Sequence, residues 1–244
     1  MKVLGIIPAR YKSSRFPGKP LVNLNGKPMI VHVAEKASLA LGRENVVIAT
    51  DDSQIADVVE KAGYRTIITS DSHPTGTDRL WEAAQNIEAD IYINIQGDEP
   101  MVNPDDIIKV IEEKKQAPDY VINGMSTLAP DEDPANINIP KVLVNTSNDL
   151  IYMSRLPIPG IKSPGGQLPV YLKQVCIYAF NYEQLKAYGE MNGKAVFEAF
   201  EDIEILRFLE LGIPVKMVYT QANTLAVDVP SDVEKVSRAM QSSI

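Results

Sequence analysis

Short, uncharged apolar runs recur along the chain, each followed by a polar turn and then by a stretch of helical periodicity. Residues 3–7, 46–49 and 91–95 are rich in Val and Ile and do not alternate apolar with polar. A strand exposed on one face would alternate, so continuous runs of this length indicate strands covered on both faces of a parallel sheet. Between them, Met29, Ile30, Val33, Ala34, Ala37 and Leu41 recur at helical spacing before a stop at Gly42. A second helix is expected over 55–62, with Asp52 as its N-cap and Gly63 beyond its end. Residues 66–69 read as a further strand. The helix carrying Leu80, Trp81 and Ala84 is expected to be capped by Thr77, and Asn103 and Pro104 cap and start another that runs to residue 115. Strand and helix alternating at this spacing give an α/β fold: a doubly wound, mostly parallel, Rossmann-like sheet that gathers ligands at the carboxyl ends of its strands.

The rhythm breaks after a strand over 120–128. Residues 129–140 are rich in Asp, Asn and Pro and read as a loop. Residues 141–145, 150–153 and 171–180 read as antiparallel strands around the Pro- and Gly-rich stretch 157–169. This predicts a smaller antiparallel lobe over 129–180. Asn181 caps a short helix, an amphipathic helix follows over 197–211 and ends at Gly212, and a strand over 215–219 returns to the sheet. A last strand over 225–228 leads through Pro230 into a terminal helix over 231–240. With 244 residues, 45% of them hydrophobic, the chain can bury one sizeable core, and residues 1–244 are read as one domain with the lobe inside it.

Two strand ends carry chemistry. After the first strand, Arg10, Lys12, Arg15 and Lys19 place four cations within ten residues of a chain whose formal net charge is -8. A loop of opposite sign to its protein asks for an anionic ligand. Ser13, Ser14 and Gly18 keep the backbone small enough for peptide N–H groups to approach phosphate oxygens, while Pro8, Pro17 and Pro20 limit its motion. The strand over 91–95 ends instead in Gln96, Gly97, Asp98, Glu99 and Pro100. A carboxylate beside a phosphate chain is repelled unless a hard cation lies between them. Mg²⁺ takes oxygen ligands and is commonly held by one or two carboxylates plus phosphate oxygens, so Asp98 is the first expected metal ligand.

The run P-A-R-x-x-S-x-R-x-P-G-K-P after an N-terminal strand, with Gln-Gly-Asp-Glu-Pro at 96–100, resembles the cytidylyltransferases that activate ulosonic acid sugars, above all the CMP-Kdo synthetases. The resemblance implies that Arg10, Ser14, Arg15 and Lys19 hold the triphosphate of CTP, with Lys19 catalytic, and that Gln96 contacts the nucleotide. It makes Asp98 and Asp228 the Mg²⁺ ligands, Asp228 standing before a proline-initiated helix as in the family's closing strand. On the sugar side, Arg79, Arg155, Tyr178 and Glu204 match family contacts. Two positions depart from the pattern: Gln174 stands where the family has a sugar-binding histidine, and Ile205 where it has a glutamine. The sugar is accordingly expected to be Kdo, a modified Kdo or another ulosonic acid such as an acylneuraminate-like sugar. The lobe is expected to cover the sugar and to supply the surface of a homodimer.

The implied reaction is direct displacement at phosphorus: the anomeric hydroxyl attacks the α-phosphate of CTP, giving a CMP-sugar and pyrophosphate by positioning and charge neutralisation. No Ser–His or Cys–His pair is required. His32, on a helix, and His73, in a loop, are expected to be structural or exposed. A glycosyltransferase that consumes a nucleotide sugar would also use strand-end aspartates and Mg²⁺, but it would need no triphosphate cradle. The sequence pI near 4.9 speaks against nucleic acid or an anionic membrane as partner. The single cysteine, Cys176, and the absence of a long apolar run point to a cytoplasmic protein.

Overall fold

The computed structural model describes residues 1–12, 16–162, 169–191, 193–221 and 225–242. Its first half follows the expected alternation. Strand β1 (Val3–Ala9) leads through a small hairpin, β2 (Asn23–Leu24) and β3 (Lys27–Pro28), into α1 (Met29–Leu41). Then come β4 (Val46–Thr50), α2 (Ser53–Lys61), β5 (Arg65–Ile68), α3 (Gly76–Asn86), β6 (Ile91–Ile95), α4 (Pro104–Gln116) and β7 (Val121–Thr127). The strands β4 and β6 are buried along their whole length, as their uninterrupted apolar sequences require. Asp52 caps α2 by accepting from the amides of Gln54 and Ile55, and Asn103 caps α4 from Asp105.

The second half comprises β8 (Lys141–Val144), β9 (Leu150–Ser154), β10 (Leu172–Phe180), α5 (Tyr182–Gly189), α6 (Val196–Glu201), α7 (Leu206–Glu210), β11 (Val215–Tyr219) and α8 (Asp232–Ser242). The main sheet runs β11-β7-β10-β6-β1-β4-β5. Every neighbour pair in it is parallel except those made by β10, which is antiparallel to both β6 and β7. Helices cover both faces. On one, Ile30, Val33, Ile55, Val59, Ile107 and Val110 of α1, α2 and α4 pack onto Ile91, Ile93 and Ile95. On the other, Leu80, Leu185 and Phe208 of α3, α5 and α7 pack onto Leu4, Tyr92 and Phe180. No helix among the described residues is long and apolar enough to cross a membrane.

Four local expectations are corrected. The N-cap of α3 is Thr75 and not Thr77: Thr75 and Asp78 have the spacing for a reciprocal capping box and form one, while the Thr77 hydroxyl donates to Glu204. The helix expected over 197–211 is two helices, because the Arg155 side chain takes the carbonyls of Glu201 and Asp202, which a continuous helix would need for itself. Asp202 turns the chain there in the left-handed conformation, φ 51°. Residues 225–228 form no strand, since they meet the turn after β6 and not a strand edge; Val227 N–H donates to the Asp98 carbonyl at 3.0 Å. Finally, only Leu172 and Lys173 of β10 pair with the β8–β9 ribbon. The rest of β10, half-exposed to the cleft at Gln174 and Cys176 and buried from Ile177 to Phe180, is threaded into the main sheet, so the antiparallel segment grows out of that sheet.

Candidate active site

The parallel strands all present their carboxyl ends at one edge, and β10, running the other way, brings its amino-terminal half to the same edge. There a cleft of about 660 Å³ opens, within the ~300–1,000 Å³ usual for small-molecule sites. Its floor comes from the end of β1 (Pro8, Ala9, Arg10), the turn after β6 (Gln96 to Glu99), and Gln174, Cys176 and Tyr178 of β10. Its walls come from the start of α3 and from the segment around α6 and α7. All ten predicted site residues that fall among the described ones line it: Arg10, Lys19, Arg79, Gln96, Asp98, Arg155, Gln174, Tyr178, Glu204 and Asp228. Ser14 and Arg15 lie outside the described residues.

The basic and acidic turns meet because Gly97 lets them. A Cβ at this position would lie 2.8 Å from the Pro8 carbonyl oxygen, inside van der Waals contact. Gly18, at φ 69°, a conformation costly for residues with a Cβ, donates its N–H to the Tyr11 carbonyl at 2.9 Å and opens the short turn Lys19–Leu21. The Lys19 ammonium then reaches across to the acidic turn, 2.6 Å from Asp98 Oδ2 and 3.8 Å from Asp228 Oδ1. Two carboxylates from distant parts of the sequence therefore converge on one cationic point. Glu99, beside them, is buried, with no partner for its Oε2 among the described residues, and its carboxyl is pushed up to about 8, first by burial and then by Asp98 and Asp228. Among the described residues no set of three or more His, Cys, Asp or Glu side chains converges as metal ligands.

The predicted sugar-side residues are present but differently committed. Arg79 is buried, hydrogen-bonded to Thr69 and 3.7 Å from Asp51, and desolvation lowers its basicity despite that carboxylate. Arg155 donates to the backbone carbonyls of Ile137, Glu201 and Asp202, tying the loop before β8 to the turn between α6 and α7. Glu204 accepts from the amides of Gly76 and Thr77 at 2.9 and 3.2 Å, so it anchors the start of α3 where negative charge is favoured. Burial raises its carboxyl above the ordinary range. Arg10 is exposed at the end of β1 and makes no ion pair among the described residues, although its charge acts on Asp202 on the cleft wall. Ile205, expected to face the sugar, is instead fully buried in the core and absent from the cleft lining; the turn at Asp202 rotates it inward as it rotates Glu204 outward. His32 bonds the Leu24 carbonyl and His73 pairs with Glu82.

Other lining residues escaped the sequence reading. Glu99 follows Asp98 in the same motif and Cys176 lies between Gln174 and Tyr178, so adjacency could have found both. Lys194 and Asp202, ion-paired at 2.5 Å on the cleft wall, belong to no pattern that would have singled them out.

A sequence model of the cytidylyltransferases matches residues 4–221. Among curated relatives, the 3-deoxy-manno-octulosonate cytidylyltransferase of Escherichia coli is 39% identical over 239 residues, covering 98% of this chain and 96% of its own. The protein of the same name from Syntrophobacter fumaroxidans is 41% identical over 243 residues, covering 97% and 96%. A solved structure described as CMP:2-keto-3-deoxy-manno-octonic acid synthetase complexed with CTP matches with a TM-score of 0.92 at 39% identity, covering 100% of both chains. With the family model spanning most of its length and full-length relatives at 39% and 41% identity, this chain belongs to the cytidylyltransferase family, among the 3-deoxy-manno-octulosonate cytidylyltransferases.

Proposed function

We propose that the protein activates Kdo, converting CTP and 3-deoxy-manno-octulosonate to CMP-Kdo and pyrophosphate. The observation that carries this reading is the facing of a basic loop and an acidic turn across one strand-end cleft, with Lys19 between Asp98 and Asp228, in a chain that matches a CTP-bound synthetase over its full length. Arg10, Ser14, Arg15 and Lys19 hold the triphosphate and neutralise it, and Gln96 contacts the nucleotide. The sugar lies over β10 and the α3 start, against Arg79, Gln174, Tyr178 and Glu204, with Arg155 shaping the wall. Its anomeric hydroxyl oxygen attacks the α-phosphorus and gives up its proton to solvent, the bond from the α-phosphorus to the oxygen bridging to the β-phosphate breaks, and pyrophosphate leaves with that electron pair. Protein groups contribute by holding the reactants in line and by opposing developing charge.

Mg²⁺ fits the acidic pair: Asp98 and Asp228 already converge on one cation, Lys19, and supply the hard oxygen donors that the ion prefers, leaving phosphate and water oxygens to complete its shell. When bound there, it supplies charge neutralisation to the phosphate chain. The enzyme works in the cytoplasm as a homodimer. Support for the dimer is an exposed apolar group where α6 packs beside β9, including Ile151, Val196, Phe197 and the 87% exposed Phe200, more than a solvated helix needs. Light scattering should give twice the chain mass; the chain mass would refute it. The catalytic reading is tested by pyrophosphate release, which should require CTP, Kdo and Mg²⁺ together. Release with UTP or TTP in place of CTP at equal rate would refute the nucleotide assignment.

A further inference from the structure

The strand β10 carries an irregularity where it crosses the cleft. Its pairing with β7 runs Gln174 to Met125 and Val175 to Gly124, then resumes at Tyr178 to Asn123, so Cys176 and Ile177 have no partners on β7. Bulges of this kind bend a strand and re-aim its side chains, and they concentrate beside active sites. Here the bulge is held by one side chain. Asn123, fully buried, donates its amide to the carbonyls of Val175 and Ile177 at 2.8 and 3.1 Å.

Those two bonds decide the orientation of a second amide. Carbonyls only accept, so the nitrogen of Asn123 must face the bulge, both its protons are used, and its oxygen must point the other way. That oxygen accepts from Gln174 Nε2 at 3.0 Å, and the same nitrogen makes a longer contact of 3.4 Å to Tyr178 Oη. Gln174 therefore has its nitrogen turned to the protein, and its carbonyl oxygen has no partner among the described residues. Gln174 lines the cleft. A buried amide network satisfied at every other position fixes this geometry rigidly.

We propose that Asn123 is a positioning residue of the sugar subsite, which holds Gln174 so that its side chain can act only as a hydrogen-bond acceptor and selects a sugar bearing a donor, a hydroxyl or a protonated amine, at the position facing β10. This rests on the sugar-activating function proposed above. A substrate lacking that donor would leave the Gln174 oxygen desolvated without compensation, and such a defect costs more than loss of a solvent-exposed bond.

The test uses the intact enzyme with CTP, Kdo and a set of Kdo analogues, each lacking one hydroxyl. Gln174→Met, close in size but without the acceptor, should lower kcat/KM for Kdo by about tenfold or more, through the sugar KM, with the KM for CTP unchanged. One analogue should lose a similar factor with the wild type and nothing further with Gln174→Met. Asn123→Ala should reproduce the sugar-selective loss and should not add to Gln174→Met. If it fails to fold, Asn123→Ser takes its place: its short side chain can keep one hydroxyl donor on the bulge but cannot span from there to Gln174 as the longer amide does, so the same sugar-selective loss is expected. Unchanged sugar kinetics in Gln174→Met, or losses that multiply for every analogue, would overturn the inference while leaving the activity intact. Absence of turnover by the wild type with every sugar would overturn the underlying function instead.

Discussion

Replacing Arg207 by methionine tests how the wall that carries the cleft is held. Arg207 is fully buried and forms a fork with Glu198, Nε to Oε2 at 2.6 Å and Nη2 to Oε1 at 2.7 Å. Its Nη1 reaches Asp78 Oδ1 at 2.9 Å and the Tyr188 carbonyl at 3.1 Å, and the guanidinium lies 3.6 Å from the centre of the Tyr188 ring. One side chain thus links α3, α5, α6 and α7, and these contacts raise its basicity against the cost of burial. Methionine would leave the carboxylate of Glu198, 1% exposed, and that of Asp78, 11% exposed, without their cation. Breaking a buried pair in this way costs about 3–5 kcal/mol. For a chain of this size each kcal/mol lowers Tm by roughly 2–4 °C, so the loss should be about 6–20 °C. Scanning calorimetry reads it directly. Adding Glu198→Gln to the same chain should recover part of the loss by removing one orphaned charge. A melting point within about 2 °C of the wild type, at matched protein concentration, would refute the view that this network holds the wall.

Asp98→Asn and Asp228→Asn should each abolish Mg²⁺-dependent turnover while leaving the melting point within a few degrees, and their effects should not add, because both serve one cation; a single variant with wild-type rate at limiting Mg²⁺ would remove that residue from the assignment. Lys114 gives a pH prediction. It is buried, donating to the carbonyls of Pro118 and Tyr120 and to Gln184, and burial lowers its ammonium to about 8. The unfolded chain, with lysine near 10.4, binds more protons between about pH 8 and 10.4, so the folded state gains stability as pH rises through that window. The Tm difference between wild type and Lys114→Met should move in favour of the wild type across it, and a flat difference would contradict the assignment.

The fold was legible wherever a local rule had no competitor. The runs at β1, β4 and β6 are too short and too apolar to be anything but buried strands, and Asp52 and Asn103 sit directly before helical periodicity. The insertion of β10 between β6 and β7 was not legible, because an antiparallel strand covered on both faces has the same local sequence as a parallel one and its partners are distant in the chain. Periodicity also ran unbroken through Asp202, and only Arg155, forty-seven residues away from it, makes the break there. That break explains why Glu204 reaches the cleft while Ile205 does not, although both belong to one sequence motif. In the site itself, the charged residues announced themselves by clustering against the net charge of the chain. Asn123 carried no such signal: a single asparagine within a buried strand becomes meaningful only once the bulge opposite is seen.

The central claim is that this cleft joins CMP to Kdo, and the phosphorus-31 spectrum of one reaction mixture tests it most directly. With enzyme, CTP, Kdo and Mg²⁺, the three CTP resonances should give way to one phosphodiester signal from CMP-Kdo and one from pyrophosphate, in equal amounts on a molecular basis. Appearance of CDP with inorganic phosphate, or persistence of CTP beside unreacted Kdo with folded enzyme, would contradict it.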